Sequence, residues 1–173
     1  MTRYAAFLRG VNVGGVSLKM ADVAATLTDA GFKNVKTVLA SGNVVFDGSG
    51  TAVTVRTKAE AALRNAFGYD AWVLVYELDA VRTVADGYPF EPEVAGHHSY
   101  VTFVSDPDIL DELAALVADA GPEEKIHRGD GVLYWQVPKS STLDSSIGKT
   151  MGKKRYKSST TTRNLRTLAK VLT

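Results

Sequence analysis

A chain of 173 residues that is 45% hydrophobic and 23% charged carries enough apolar material for one or two folded cores, which excludes a disordered polymer. It has no cysteine, so a disulfide framework, a thiolate nucleophile and Cys-ligated zinc are excluded too. The formal net charge of +1 hides an asymmetry, because every charged residue after Asp144 is basic and the preceding part of the chain is net acidic.

Met1-Thr2-Arg3-Tyr4 leads into a short apolar run broken by Arg9, unlike a signal peptide. No apolar stretch approaches the roughly 18–20 residues that a bilayer crossing needs. A cytoplasmic protein with no membrane partner is expected.

Tyr4 to Val11 reads as a buried central strand, followed by a loop punctuated by Gly10, Gly14 and Gly15. From Lys19, apolar residues at Met20, Val23, Ala24, Leu27 and Ala30 recur at helical spacing up to a stop at Gly31. Val35 to Ala40 and Asn43 to Asp47 read as strands joined by a tight turn at Ser41-Gly42. Asp47-Gly48-Ser49-Gly50 is a loop, and a second helix through Ala59, Ala62, Leu63, Ala66 and Phe67 stops at Gly68. Ala71 to Tyr76 is the next strand. The order β-α-β-β-α-β is that of a split βαβ, or ferredoxin-like, unit.

Glu77 to Asp86 reads as a short helix, and Gly87-Tyr88-Pro89-Phe90-Glu91-Pro92 then breaks regular structure. The boundary is placed here, giving a first half over 1–90 and a second, related half over 91–173. The second half opens with a strand at Ser99 to Val104. Ser105-Asp106-Pro107 starts a helix whose stripe is Ile109, Leu110, Leu113, Leu116 and Val117, closing at Gly121. Strands at Glu124 to Arg128 and Val132 to Val137 flank the hairpin signal Gly129-Asp130-Gly131. A helix is read near Leu143 to Thr150, and Leu165, Leu168, Val171 and Leu172 mark a terminal helix capped by a threonine among Thr160 to Thr162. Asp-Ala-Gly ends a helix at 29–31 and again at 119–121, and each is followed by a strand, a glycine turn and a strand, as a duplication would leave. The fold class expected is α+β: two ferredoxin-like halves, with helices packed on antiparallel or mixed sheets.

The stretch Leu8-Arg9-Gly10-Val11-Asn12-Val13-Gly14-Gly15 joins a strand to a helix. Glycines there let backbone N–H groups converge, and the next helix adds partial positive charge. Both favour an anion, although the spacing matches neither a P-loop nor a dinucleotide fingerprint. In a ferredoxin-like sheet the first and third strands are antiparallel neighbours, so Arg9 and Asn12 are expected beside Ser41 and Asn43. Guanidinium, amide and hydroxyl donors suit a phosphate or carboxylate better than proton transfer. At Thr162-Arg163-Asn164, before the terminal helix, either threonine caps and Arg163 binds an acidic partner in the body, or Arg163 and Asn164 are further donors to that edge. The expected ligand-binding set is Arg9, Gly10, Asn12, Gly14, Gly15, Ser41, Asn43, Arg163 and Asn164. Lys153, Lys154, Arg155 and Lys157 form an expected basic surface, either a solvated tail or a grip for phosphates.

Three ordered motifs carry a resemblance: Leu8-Arg9-Gly10-Val11-Asn12-Val13-Gly14-Gly15, Ala40-Ser41-Gly42-Asn43-Val44-Val45-Phe46 and Thr162-Arg163-Asn164. Through them the chain resembles the bacterial domain-of-unknown-function 1697 family over nearly its whole length. Leu165 departs from the pattern, since members often have tryptophan there. The resemblance implies a compact bacterial α+β protein and brings no activity, cofactor or catalytic residue.

Other chemistries are weaker. His97 and His98 are adjacent and would face opposite ways on a strand, and His127 stands alone. No serine sits in a Gly-x-Ser-x-Gly elbow. RNA-recognition modules share this strand order but stack bases on aromatic residues, for which only Phe46 and Phe7 are candidates. No metal or cofactor is expected. The expected function is non-enzymatic binding of a phosphate-bearing ligand or a nucleic-acid backbone. The alternatives are an enzyme acting on a phosphorylated small molecule and a structural or partner-binding protein.

Overall fold

Tyr4 to Leu8 is buried without a break, as a continuous apolar run on a strand with two covered faces should be. This strand, β1 (Thr2–Arg9), lies at the centre of the first of two sheets. The structure is a computed structural model and describes residues 1–9, 18–38, 42–68, 71–115, 124–139, 156 and 158–173. The glycine loop 10–17, Ser41, the Gly121 stop, the helix expected near 143–150 and the four basic-surface residues lie outside the described residues. Two units divide the chain, one of Met1–Arg82 with Ala169–Thr173 and one of Thr83–Leu168.

In the first unit β1 is followed by α1 (Met20–Asp29), β2 (Lys33–Val38), β3 (Asn43–Gly48), α2 (Ala52–Phe67) and β4 (Trp72–Glu77). All strand pairs are antiparallel in the order β2-β3-β1-β4, so the first and third strands are central. Period-2 alternation sorts the side chains. Tyr4, Ala6, Leu8, Val44, Phe46, Val73 and Val75 meet Val23 and Leu27 of α1 and Val55, Ala59 and Leu63 of α2 in one core. The opposite face carries Ala5, Phe7, Val45 and Leu74, all buried. The ends of α2 follow local chemistry. Thr51 Oγ1 accepts from the Thr54 N–H at 3.2 Å, and Gly68 closes the helix at φ 66°, a left-handed conformation that glycine adopts without steric cost.

The helix α3 (Leu78–Asp86) follows, and the second sheet is built from β5 (His97–Val104), β6 (Lys125–Arg128), β7 (Val132–Pro138) and β8 (Thr160–Asn164). Between β5 and β6 lies α4 (Pro107–Ala114), and α5 (Leu165–Val171) follows β8. The order is β6-β7-β5-β8, again antiparallel throughout, so β5, β6, β7 and β8 repeat the places of β1, β2, β3 and β4. The class is α+β, with antiparallel rather than mixed sheets among the described residues. Asp106 caps α4 by accepting from the Asp108 N–H at 2.9 Å, with Pro107 in its first turn. Gly129 is required at the β6–β7 hairpin, because a Cβ there would lie 2.6 Å from the Tyr134 ring.

One expectation fails in an instructive way. Thr160 to Thr162 are not helix caps but the first residues of β8, paired with Val104, Phe103 and Thr102 of β5. Their β-branched side chains suit a pleated, half-buried surface as well as they suit a cap, and pairing with a central strand decides between the two. The cap is supplied by Asn164, whose Oδ1 accepts from the Thr167 N–H at 2.8 Å.

Candidate functional site

At the first-unit edge, the register sets Phe7 opposite Asn43 and Arg9 opposite Trp72. Arg9, Phe7 and Asn43 therefore project from the same face of the sheet. Asn43 is fully buried, and its Nδ2 donates to the Val38 carbonyl at 2.8 Å, a bond that closes the β2–β3 connection. That amide is committed to the fold. Arg9 is half-buried, and burial pushes its guanidinium below its ordinary value without threatening its charge. Gly10, Asn12, Gly14, Gly15 and Ser41, the rest of the expected edge, lie outside the described residues. The aromatic rings nearby offer no open platform for a base. Phe46 belongs to the helix-side core, Phe7 is fully buried on the opposite face, and the Arg64 guanidinium lies 4.9 Å from the Trp72 ring centroid.

In the second unit, Arg163 is only 8% exposed. Its Nη1 donates to Thr161 Oγ1 at 2.7 Å and to the Thr162 carbonyl at 2.9 Å. The guanidinium thus braces β8 instead of presenting itself to solvent. On the other face of this sheet, Trp135 Nε1–H donates to Thr102 Oγ1 at 2.9 Å, and the Thr102 and Thr162 hydroxyls lie 2.7 Å apart. Tyr88 Oη donates to the Trp135 carbonyl at 3.0 Å and Tyr134 Oη to the Val84 carbonyl at 2.8 Å, tying the last turn of α3 and the segment after it to β7.

A cleft of about 390 Å³ lies at the head of β5. It is lined by Pro92, Glu93, Val94, Ala95 and Gly96, by His97, His98 and Ser99, by Lys139, and by Asn164, Leu165 and Arg166. The pairing of His97 with Pro138 and of Tyr100 with Asn164 brings the start of β5, the end of β7 and the end of β8 together there. The 92–96 wall is held from both sides. Ser99 Oγ donates to the Pro92 carbonyl at 2.9 Å, Gln136 Nε2 to the Glu91 carbonyl at 2.8 Å, and the Lys139 N–H to the Gly96 carbonyl at 2.8 Å. His97 Nδ1 lies 3.1 Å from the Ala95 carbonyl, which can only accept, so Nδ1 carries a proton in that contact. The His98 ring packs 5.4 Å from Tyr100, which packs 4.6 Å from Trp135.

Lys139 and Arg166 face this cleft with one carboxylate, Glu93, and two imidazoles. The loop backbone and Leu165 complete the lining, and two cations against one carboxylate leave it with an excess of positive charge. Of the expected site residues, the cleft includes Asn164 alone. His97 and His98, strand neighbours that cannot easily share a metal, both line the cleft at the start of β5. The missing signal was long-range, because nothing local to His97-His98 announces Pro138-Lys139 or Arg166 as neighbours. Among the described residues no group of three His, Asp or Glu side chains is placed to hold a metal ion, and no helix is long and apolar enough to cross a membrane.

A family model described as "Protein of unknown function (DUF1697)" matches residues 1–134. The third motif, at 162–164, lies beyond that stretch. No curated protein matches the chain. Among solved structures, the conserved bacterial protein SP0830 from Streptococcus pneumoniae is similar at a TM-score of 0.79 with 23% identity, covering 98% of this chain and 96% of that one. The likeness is one of fold. An unknown protein from Galdieria sulphuraria aligns at a TM-score of 0.29 with 10% identity over 94% of this chain and 96% of that one.

Proposed function

The chain belongs to the DUF1697 family of proteins of unknown function, and from that premise we propose that it is a non-enzymatic binder of an anionic, phosphate-bearing ligand. The observation that carries this reading is the cleft at the head of β5, where Lys139 and Arg166 outnumber Glu93 and the rings of His97 and His98 stand beside them. Cations beside a neutral amide donor, Asn164, favour a phosphate by charge and by hydrogen bonding together. The glycine loop that follows Arg9 and the basic run after Asp144 support the same preference for anions.

The test is thermal unfolding of protein purified without phosphate, in the presence of inorganic phosphate, a nucleoside monophosphate or a single-stranded oligonucleotide. Stabilisation is expected, and K139A combined with R166A should remove it while leaving circular dichroism unchanged. Absence of any shift across all three ligands would sink the reading. Salt then separates the ligand classes, because a nucleic-acid backbone loses affinity steeply with ionic strength through counterion release.

An enzyme acting on a phosphorylated small molecule is the second reading. It is favoured by the two imidazoles in the same cleft, the residue type most used in proton transfer. Turnover of a phosphomonoester, lost in H97Q or H98Q, would replace the binding reading with this one.

A further inference from the structure

We infer that the cleft takes a small phosphomonoester whose phosphate displaces the Glu93 carboxylate from Arg166, so that Glu93 acts as a built-in competitor for the ligand. This rests on the anion-binding reading and adds to it the size class of the ligand and a device that sets its affinity.

Size comes first. At about 390 Å³ the cleft lies near the small end of the roughly 300–1,000 Å³ typical of ligand sites. A sugar phosphate or mononucleotide fits such a space, whereas a polymer would have to leave most of its length outside.

The competitor follows from the geometry of one ion pair. Arg166 Nε and Glu93 Oε1 are 3.7 Å apart, longer than a good charge-assisted hydrogen bond, and their side chains are 77% and 75% exposed. Exposed pairs of this kind are among the weakest interactions in a protein. The loop that carries Glu93 is nevertheless fixed, since Pro92 and Glu91 accept side-chain hydrogen bonds on one flank and Gly96 accepts a backbone one on the other. The carboxylate is therefore held within reach of Arg166 without being locked to it. A phosphate brings more acceptor oxygens and more charge than a carboxylate, and it can accept from both the Arg166 fork and Lys139. It wins the exchange, and the displaced Glu93 side chain swings into solvent.

The two outward residues can be altered with little risk to folding. Isothermal titration of ribose 5-phosphate and inorganic phosphate into the parent, E93Q and R166A proteins is the test, with a single-stranded oligonucleotide as the contrasting ligand. E93Q should bind ribose 5-phosphate about two- to fivefold tighter than the parent, the factor corresponding to loss of an exposed ion pair. R166A should bind about tenfold weaker or worse. Binding to E93Q alone would also support the competitor. If the parent binds but E93Q binds no tighter, or R166A binds as well as the parent, the competitor is overturned and the anion-binding reading stands. If the oligonucleotide binds and ribose 5-phosphate does not, the size class is overturned and that reading again stands. If no protein binds any of the three, both are overturned.

Discussion

Replacing Asn43 distinguishes a residue that holds the fold from one that holds a ligand. Its side chain has no exposed surface, and the Val38 carbonyl that accepts from Nδ2 at 2.8 Å belongs to a residue only 8% exposed. N43A forfeits the hydrogen bond and leaves the carbonyl of a buried residue with one partner fewer. Such a loss costs about 1–3 kcal/mol. For a unit of this size 1 kcal/mol lowers Tm by about 4–8 °C, so a loss near the middle of that range means about 8–16 °C. N43D should be worse at neutral pH, because it sets a carboxylate against a carbonyl in a buried site, and its deficit should shrink as acid lets that carboxyl donate. The two tryptophans fall one in each unit, so in a W135F background Trp72 fluorescence reports the first unit through a urea titration. The expected result is a lowered midpoint for N43A with an unchanged slope. An unchanged midpoint, together with loss of any phosphate-induced stabilisation, would refute the argument and return Asn43 to the ligand.

Three further outcomes are expected. T102V deprives Trp135 Nε1 of its acceptor and breaks the contact with the Thr162 hydroxyl; a loss of about 1–3 kcal/mol should appear in urea unfolding monitored by Trp135 emission in a W72F background. R163A removes a nearly buried guanidinium that donates to Thr161 and the Thr162 carbonyl, so it should lower Tm with or without ligand, whereas R166A should lower Tm only relative to the ligand-bound parent. The Asn34 amide, and after it Arg3, hold the Asp47 carboxyl below its ordinary range. A depressed carboxyl contributes stability above its unfolded value of about 3.9 and loses it as pH falls through the folded value. The gap in unfolding midpoint between the parent and D47N should therefore be constant from pH 7 to about 5 and close toward pH 2. A gap that widened in acid would reverse the assignment.

The sequence made the scaffold legible where local signals and burial agree. The run from Tyr4 reads as a central strand because both of its faces are apolar, and Gly68 and Asp106-Pro107 end and begin helices as their chemistry requires. Thr160 to Thr162 misled because threonine suits a cap and a strand equally, and only the pairing with β5 resolves the choice. Candidate site residues were less legible for a related reason. Polar side chains that look available in a sequence, Asn43 and Arg163 among them, prove to be engaged by backbone carbonyls and hydroxyls a few residues away. The cleft, by contrast, is assembled from 92–99, 139 and 164–166, segments whose proximity depends on strand register.

The two units share a strand order, and that correspondence shows what the cleft is not. If β5 takes the place of β1 and β7 that of β3, the counterpart of the Arg9 edge is the end of β5 at Val104 and the start of β7 at Val132. Those positions are apolar and buried, with no polar donor repeated from the first unit. The cleft lies at the opposite pole of its sheet, where β5 begins and β7 and β8 end. It is therefore no copy of the glycine-loop edge inherited with the topology. Equivalent backbones have put polar chemistry at opposite ends of their sheets. A substitution at Lys139 or Arg166 consequently tests a cleft that the first unit does not duplicate at the equivalent strand ends.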